Sequence, residues 1–485
     1  MIYYPMKTFM GTLACALVLG ISSAHAEHHE TSDMYALAGV SSQEVSQAAA
    51  LRDEAMRGSQ AWQWVESLTT EVGPRLAGTD AERRARLWAV EKLKQLGFHN
   101  VTLEPFTIEG WERGEERAAI LSPFPQPLEV TALGGSVATG ADGIEAPLAV
   151  FGSLRELERA PAKSLEGKIA YVGHAMESTQ DGSHYGYFGR LRREGASIAA
   201  SKGAVGLLIR SIGTDSHRMP HTGSMKYDDQ WARIPAAALS NPDADQIERI
   251  AQRDGPIVVA MTLTPQFTGQ VESANVIADI PGSEYPNEYV IIGGHLDSWD
   301  LGTGAIDDGA GVAITLEAAR AILDSGLKPK RTIRLIFWGA EEVGLLGGYA
   351  YAERHSGELR AHVAATESDF GAGQIWQMTH RVSREAQPVI DVIASLVEQL
   401  GIAPGAANVA SSGPDLTPMV KLGMPAFRFV QDGRDYFDLH HTHDDTLDKI
   451  LPADLDQSVA AYVVFTWIAA NTSISDWGWL DQDSQ

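Results

Sequence analysis

Between positions 289 and 348 the sequence collects side chains suited to holding a cation and moving a proton. The stretch opens YVIIGGHLDSWD, passes through GAIDDGAG and closes TIRLIFWGAEEVGLLGG. It supplies His295, Asp297, the pair Asp307–Asp308 and the pair Glu341–Glu342. Further along, ESD (367–369) brings Glu367 and Asp369, and HHTHDDT (440–446) brings His440, His441 and His443. Imidazoles mixed with carboxylates suit Zn, with Co or Mn as substitutes. Two such ions at ~3.5–4 Å need one carboxylate to bridge them. Adjacent glutamates divide naturally into two jobs: one binds metal, and its neighbour stays free as general base for the hydrolytic water. Asp297, two residues past His295, is placed to hold that imidazole in one tautomer. Taken singly, HxD, DD and EE are weak signals, because acidic pairs are commonly solvated or sit at helix N-termini. Their joint placement carries the argument.

That placement depends on the elements around them. YVIIGG, TIRLIFW and HVAATE are apolar runs of strand length, and a ligand-type residue follows each. PAFRFV precedes the histidine loop, and the Asp pair sits in the turn that opens a helix over 311–323. In open α/β sheets, ligands bind beyond the carboxyl ends of the strands. From 275 onward strands alternate with helices over 311–323, 345–354, 387–400 and 454–470. This predicts an α/β fold with a mostly parallel central sheet flanked by helices. Upstream, 60–68 and 81–96 read as helices, GPRLAGT (73–79) as a turn and 101–106 as a strand. Residues 111–268 differ in character. They hold many short β-like runs, with one clear helix over 190–202, and read as an inserted β-rich domain. Its loop HRMPHTG (217–223) is expected at the edge of the cleft rather than as a second metal site. The division is therefore 1–26, 27–110, 111–268 and 269–485.

Composition narrows the class. The chain has 485 residues and is 44% hydrophobic, enough to bury the cores of two or three domains. Asp+Glu number 63 against Lys+Arg 38, a net charge of −25, which argues against nucleic acid or an anionic membrane as partner. Residues 1–26 read as a secretory signal: Lys7, an apolar run over 9–21, then Ala24-His25-Ala26. The mature protein is thus expected to be exported, periplasmic or secreted. The only cysteine, Cys15, lies inside that segment, so no disulfide is expected. The apolar run 460–470 is too short to span a bilayer and reads as a packed C-terminal helix. Residues 27 to about 45 are polar and are expected to form a mobile terminus.

HLDSWD, GAIDDGAG, AEE, ESD and HHTHDDT together resemble the co-catalytic zinc aminopeptidase and glutamate carboxypeptidase family, metallopeptidase family twenty-eight. Within it the likeness is greatest to the plasma glutamate carboxypeptidase branch, and it covers nearly all of the mature chain. The resemblance implies two zinc ions, one held by His295 and Asp369, the other by Glu342 and His441, with Asp307 bridging. It implies Glu341 as general base and Asp297 as support for His295. It also implies a cis peptide between Asp307 and Asp308. The insert resembles a protease-associated domain. Short peptides, dipeptides above all, are the implied substrates, and a homodimer the implied assembly. Two other readings follow from the same fold: a single-zinc glutaminyl cyclase, or a non-catalytic receptor-like relative.

Overall fold

The computed structural model describes residues 33–253, 255–407 and 411–480. The signal segment expected over 1–26 lies outside them. Strand β1 (His99–Glu112) leads into β2 (Glu116–Ser122), β3 (Gln126–Leu128), β4 (Val130–Ala132), β5 (Ile144–Phe151), β6 (Ile169–Val172), β7 (Gly206–Arg210), β8 (Ala236–Leu239) and β9 (Val258–Leu263). The chain then forms β10 (Gln266–Ile280), β11 (Tyr285–His295), β12 (Arg331–Trp338) and β13 (His362–Glu367). Strands β14 (Ile375–Arg381), β15 (Ala403–Ala407) and β16 (Ala426–Gln431) complete the set.

One five-stranded sheet has the order β1-β10-β12-β11-β13. Its β12, β11 and β13 run parallel, β10 pairs antiparallel with β12, and β1 pairs antiparallel with β10. The parallel strands read as near-continuous apolar runs because helices cover both faces, leaving little solvent side to alternate toward. The long antiparallel arm β1–β10 is followed by nothing helical, which is why the alternation seen downstream of 275 is absent there. PAFRFV lies in a separate three-stranded sheet, order β15-β14-β16, rather than in the five-stranded one.

Residues 116–263 build an eight-stranded sheet of their own, order β3-β2-β9-β5-β6-β7-β8-β4, with β5 to β8 parallel at its centre. Three helices accompany it: Leu154–Arg159, Ser183–Ser201 and Asn241–Ala251. The sequence reading contained only the second. The other two carry start signals that were legible. Ser153 caps the amide of Glu156, and Ser240 caps that of Asp243 with a proline in the first turn.

The polar N-terminal segment departs from its expected mobility over 33–45. Ala38 and Val40 are buried, and Ser41 with Glu44 forms a capping box that starts the helix Ser42–Ala55. That helix lies on the C-terminal helix Pro452–Asn471, where Trp467 Nε1 donates to the Glu44 carbonyl at 3.1 Å. The 460–470 run is apolar nearly all round because it is buried all round, the pattern of a core helix. Among the described residues no helix is long and apolar enough to cross a membrane.

Candidate metal centre

The candidate residues converge at the carboxyl ends of β11, β12 and β13. His295 is the last residue of β11 and is fully buried. Its backbone amide donates to Asp308 Oδ2 at 3.0 Å, and the other oxygen of Asp308 takes the Gly311 amide at 3.0 Å. Asp308 is thereby committed to backbone, tying the strand end to the start of helix Ala310–Asp324. Gly311 is required for this approach: a Cβ there would lie 1.9 Å from the Ser368 carbonyl. The Asp307–Asp308 peptide is cis, and the turn it forms aims Asp307 the other way.

Asp307 sits between two imidazoles. Its Oδ1 is 3.0 Å from His295 Nε2, and its Oδ2 is 3.2 Å from His441 Nε2. His441 Nε2 is also 3.0 Å from Glu342 Oε2, and His295 Nε2 is 3.7 Å from Asp369 Oδ1. Among the described residues, ligand-capable atoms cluster in three overlapping groups: His295, Asp307 and Glu342; His295, Asp308 and Asp369; and Asp307, His440 and His441. Glu341 belongs to none of them, yet it lines the same cavity of about 720 Å³ as Asp307, Glu342 and Asp369.

Choices left open by residue type alone are narrowed here. Glu367 is buried but its Oε2 accepts the Asp415 amide at 3.0 Å, so it faces the 413–415 loop. His443 is exposed. His440 stacks on His441 with ring centroids 3.5 Å apart, and its Nε2 lies 3.4 Å from Asp307 Oδ2. Of the pair, only His441 also reaches Glu342.

Asp297 is beside His295, but its atoms divide the work differently from the sequence reading. The ring Nδ1 of His295 is 2.9 Å from the Asp297 carbonyl, whereas the nearer carboxylate oxygen is 3.8 Å away. The carboxylate instead accepts the amides of Glu341 at 3.1 Å and Glu342 at 3.3 Å. Asp297 thus holds His295 through its main chain and the glutamate pair through its side chain. The reason is local: after β12 the chain turns at Ala340, φ 56°, and presents two consecutive N–H groups to the β11 loop.

Arg75 of GPRLAGT is the residue sequence reasoning passed over. It is fully buried and donates to the carbonyls of Leu296, Thr303 and Gly304, bracing the loop that follows His295. Desolvation lowers its pKa, against the raising influence of Asp445, Asp297, Asp308 and Asp307. A charged residue inside an otherwise small-residue turn was the available signal.

Electrostatics favour a cation here. Burial pushes the carboxyls of Glu341, Glu342 and Asp308 well above the usual carboxylate range. Burial opposes ionisation of Asp307 too, but the imidazoles of His295 and His441 beside it hold it well below that range. Asp307 Oδ2 and Glu342 Oε1 are buried without a hydrogen-bond partner. Several carboxylates crowded with two imidazoles, and orphan oxygens between them, constitute a donor set that a divalent cation would satisfy.

Residues 275–466 match the family model described as Peptidase family M28. Carboxypeptidase Q of Bos taurus is 36% identical over 404 residues, covering 83% of this chain and 84% of its own. A crystal structure described as a peptidase M28 precursor from Shewanella amazonensis SB2B superposes with a TM-score of 0.87 at 51% identity, covering 89% of this chain and 98% of that one. The zinc aminopeptidase BSAP of Bacillus subtilis shares the fold at 20% identity, with a TM-score of 0.63 over 88% of this chain and 98% of its own. Sequence, architecture and the converging ligand-type side chains agree, and the chain belongs to peptidase family M28, as a metallopeptidase.

Proposed function

We propose that the protein is an exported di-zinc exopeptidase that releases the N-terminal residue of short peptides, dipeptides above all. The observation that carries this reading is the position of Asp307 between His295 and His441, with Glu341 in the same cavity but outside every ligand group. One ion would be held by His295 and Asp369, the other by Glu342 and His441, and Asp307 would serve both. Zinc supplies Lewis acidity, which polarises the scissile carbonyl and makes water acidic near neutral pH. Glu341 takes the proton of the attacking water and returns it to the leaving amine. Asp297 keeps Glu341 and Glu342 in their separate roles by holding both amides. Tyr185 and Arg192, from the helix Ser183–Ser201, close the cavity from the other side. We assign residues 111–268 as the inserted, protease-associated-type domain, and residues 1–26 as the segment removed on export.

The test is a panel of dipeptides and aminoacyl reporters on the zinc-loaded mature chain, with metal content measured beside it. Glu341→Gln should keep both ions and lose turnover, because it removes the base and no ligand. Glu342→Gln should lose an ion as well. Near-normal rates for Glu341→Gln would refute the assignment of the base. A metal content near one per chain would favour the cyclase reading.

A further inference from the structure

The loop 217–223 contributes no atom to the ligand groups, yet it lies against the chain that carries His441. The carbonyl of His440 is 2.7 Å from His221 Nδ1, and the carbonyl of His441 accepts the Thr222 amide at 3.0 Å. These carbonyls belong to the two peptide groups flanking the His441 Cα. His441 itself is left-handed, φ 63°, a conformation a non-glycine residue adopts only where its surroundings impose it. Rotating either peptide plane would swing the imidazole away from Glu342 and Asp307.

His221 is itself built in. Its ring is buried, its Nε2 is 2.7 Å from Asp215 Oδ1, and its amide donates to Ser211 Oγ at 2.8 Å. Asp215 Oδ1 also accepts Asn241 Nδ2 at 2.9 Å, and Oδ2 takes the His217 amide at 2.9 Å. Ser211 follows β7 and Asn241 begins the helix after β8, so the parallel centre of the eight-stranded sheet anchors the dyad. Gly213 leaves room for it: a Cβ there would fall 2.3 Å from the imidazole. The partners of His295 come instead from its own loop and from Asp308. The two sides of the metal centre are thus braced by different sheets.

We propose that Asp215 and His221 form a positioning dyad through which the eight-stranded unit holds the peptide groups around His441, and so sets the affinity of the Glu342–His441 side for its ion. The inference rests on the two-ion reading above. Groups hydrogen-bonded behind a metal ligand, such as the carboxylate on a zinc-bound imidazole, orient that ligand, and their loss costs about 10–100-fold in metal affinity. Here the support ends on a ligand's peptide group rather than on its ring, and it reaches across from another sheet.

The experiment is zinc titration of the metal-free mature chain against a competing chelator, with bound zinc counted. His221→Asn places an amide nitrogen where ring Nδ1 stood; His221→Gln places it on the Asp215 side instead. Wild type should hold two ions, and H221N, which keeps the donor to the His440 carbonyl but not the contact with Asp215, should bind the second more weakly than wild type and more tightly than H221Q. H221Q should keep one unchanged and bind the other about 10–100-fold more weakly. Gly213→Ala, which displaces the ring without removing it, should reproduce H221Q and gives a second route should either His221 variant fold poorly. Equal affinity in H221Q and wild type, equal weakening of both ions, or an H221N as poor as H221Q would overturn the proposal. A wild-type chain holding a single ion would overturn the two-ion reading, and this inference with it.

Discussion

Asp297→Asn separates two accounts of how the centre is held. In the native chain both carboxylate oxygens accept backbone amides, from Glu341 at 3.1 Å and Glu342 at 3.3 Å. Asparagine offers one acceptor, so one of the two N–H groups would face an NH₂. The site is fully buried, and water cannot substitute. Losing one hydrogen bond to a charged acceptor costs about 1.5–3 kcal/mol, or about 10- to 150-fold in an equilibrium. The His295 ring should not notice, because its Nδ1 is held by the Asp297 carbonyl, which the substitution leaves in place. The expected outcome is a lower turnover with a weaker ion at the Glu342 side, and an unchanged ion at the His295 side. Stepwise zinc removal by chelator, followed with peptidase rates at each step, reads both. If the His295-side ion loosened first, the carboxylate would be supporting the imidazole after all. Rates and affinities within twofold of wild type would show that the two amides need no such acceptor.

Arg75→Met removes a buried fork from three carbonyls, and at about 1–3 kcal/mol for each stranded group it should destabilise the metal-free chain by about 3 kcal/mol or more. Urea unfolding of the metal-free protein measures this, and a loss below about 1 kcal/mol would contradict the bracing role. His362 gives a pH dependence remote from the metal ligands. Burial lowers its pKa from 6.5 to about 4, its Nδ1 facing the Leu359 carbonyl and its Nε2 the Tyr351 hydroxyl. The folded value lies below the unfolded one, so this contribution is complete above pH 6.5 and is lost as pH falls toward 4, amounting to about 3 kcal/mol. His362→Gln should remove that part of the acid-side slope, measured as denaturant midpoints at pH 7 and pH 4. An unaltered slope would place the acid sensitivity elsewhere.

What could be read from residue order alone was what periodicity encodes. TIRLIFW and YVIIGG announced buried strands, and the residues just past their ends were the ligand candidates, because the sheet's geometry delivers strand termini to one edge. Choices between neighbours were less legible. Glu367 and Asp369 are alike in chemistry, and only the Asp415 amide, donated by a residue far along the chain, shows which one is already occupied. The division of Asp297 into a carbonyl role and a carboxylate role depends on the turn at Ala340, a backbone conformation that residue type does not announce. Residues 33–45 looked solvated by composition, yet Ala38 and Val40 are buried beneath the end of the C-terminal helix. There tertiary burial overrode local polarity. Of the dyad Asp215–His221, only His221 lay in the loop read as the edge of the cleft, and their pairing was not legible because their partners come from other elements.

The most direct measurement is anomalous diffraction at the zinc edge from crystals of the mature, zinc-loaded protein. The account predicts two peaks flanking Asp307, one against His295 and Asp369, the other against Glu342 and His441, with Glu341 touching neither. A single peak, or density centred on Asp308, Glu367 or His443, would contradict it.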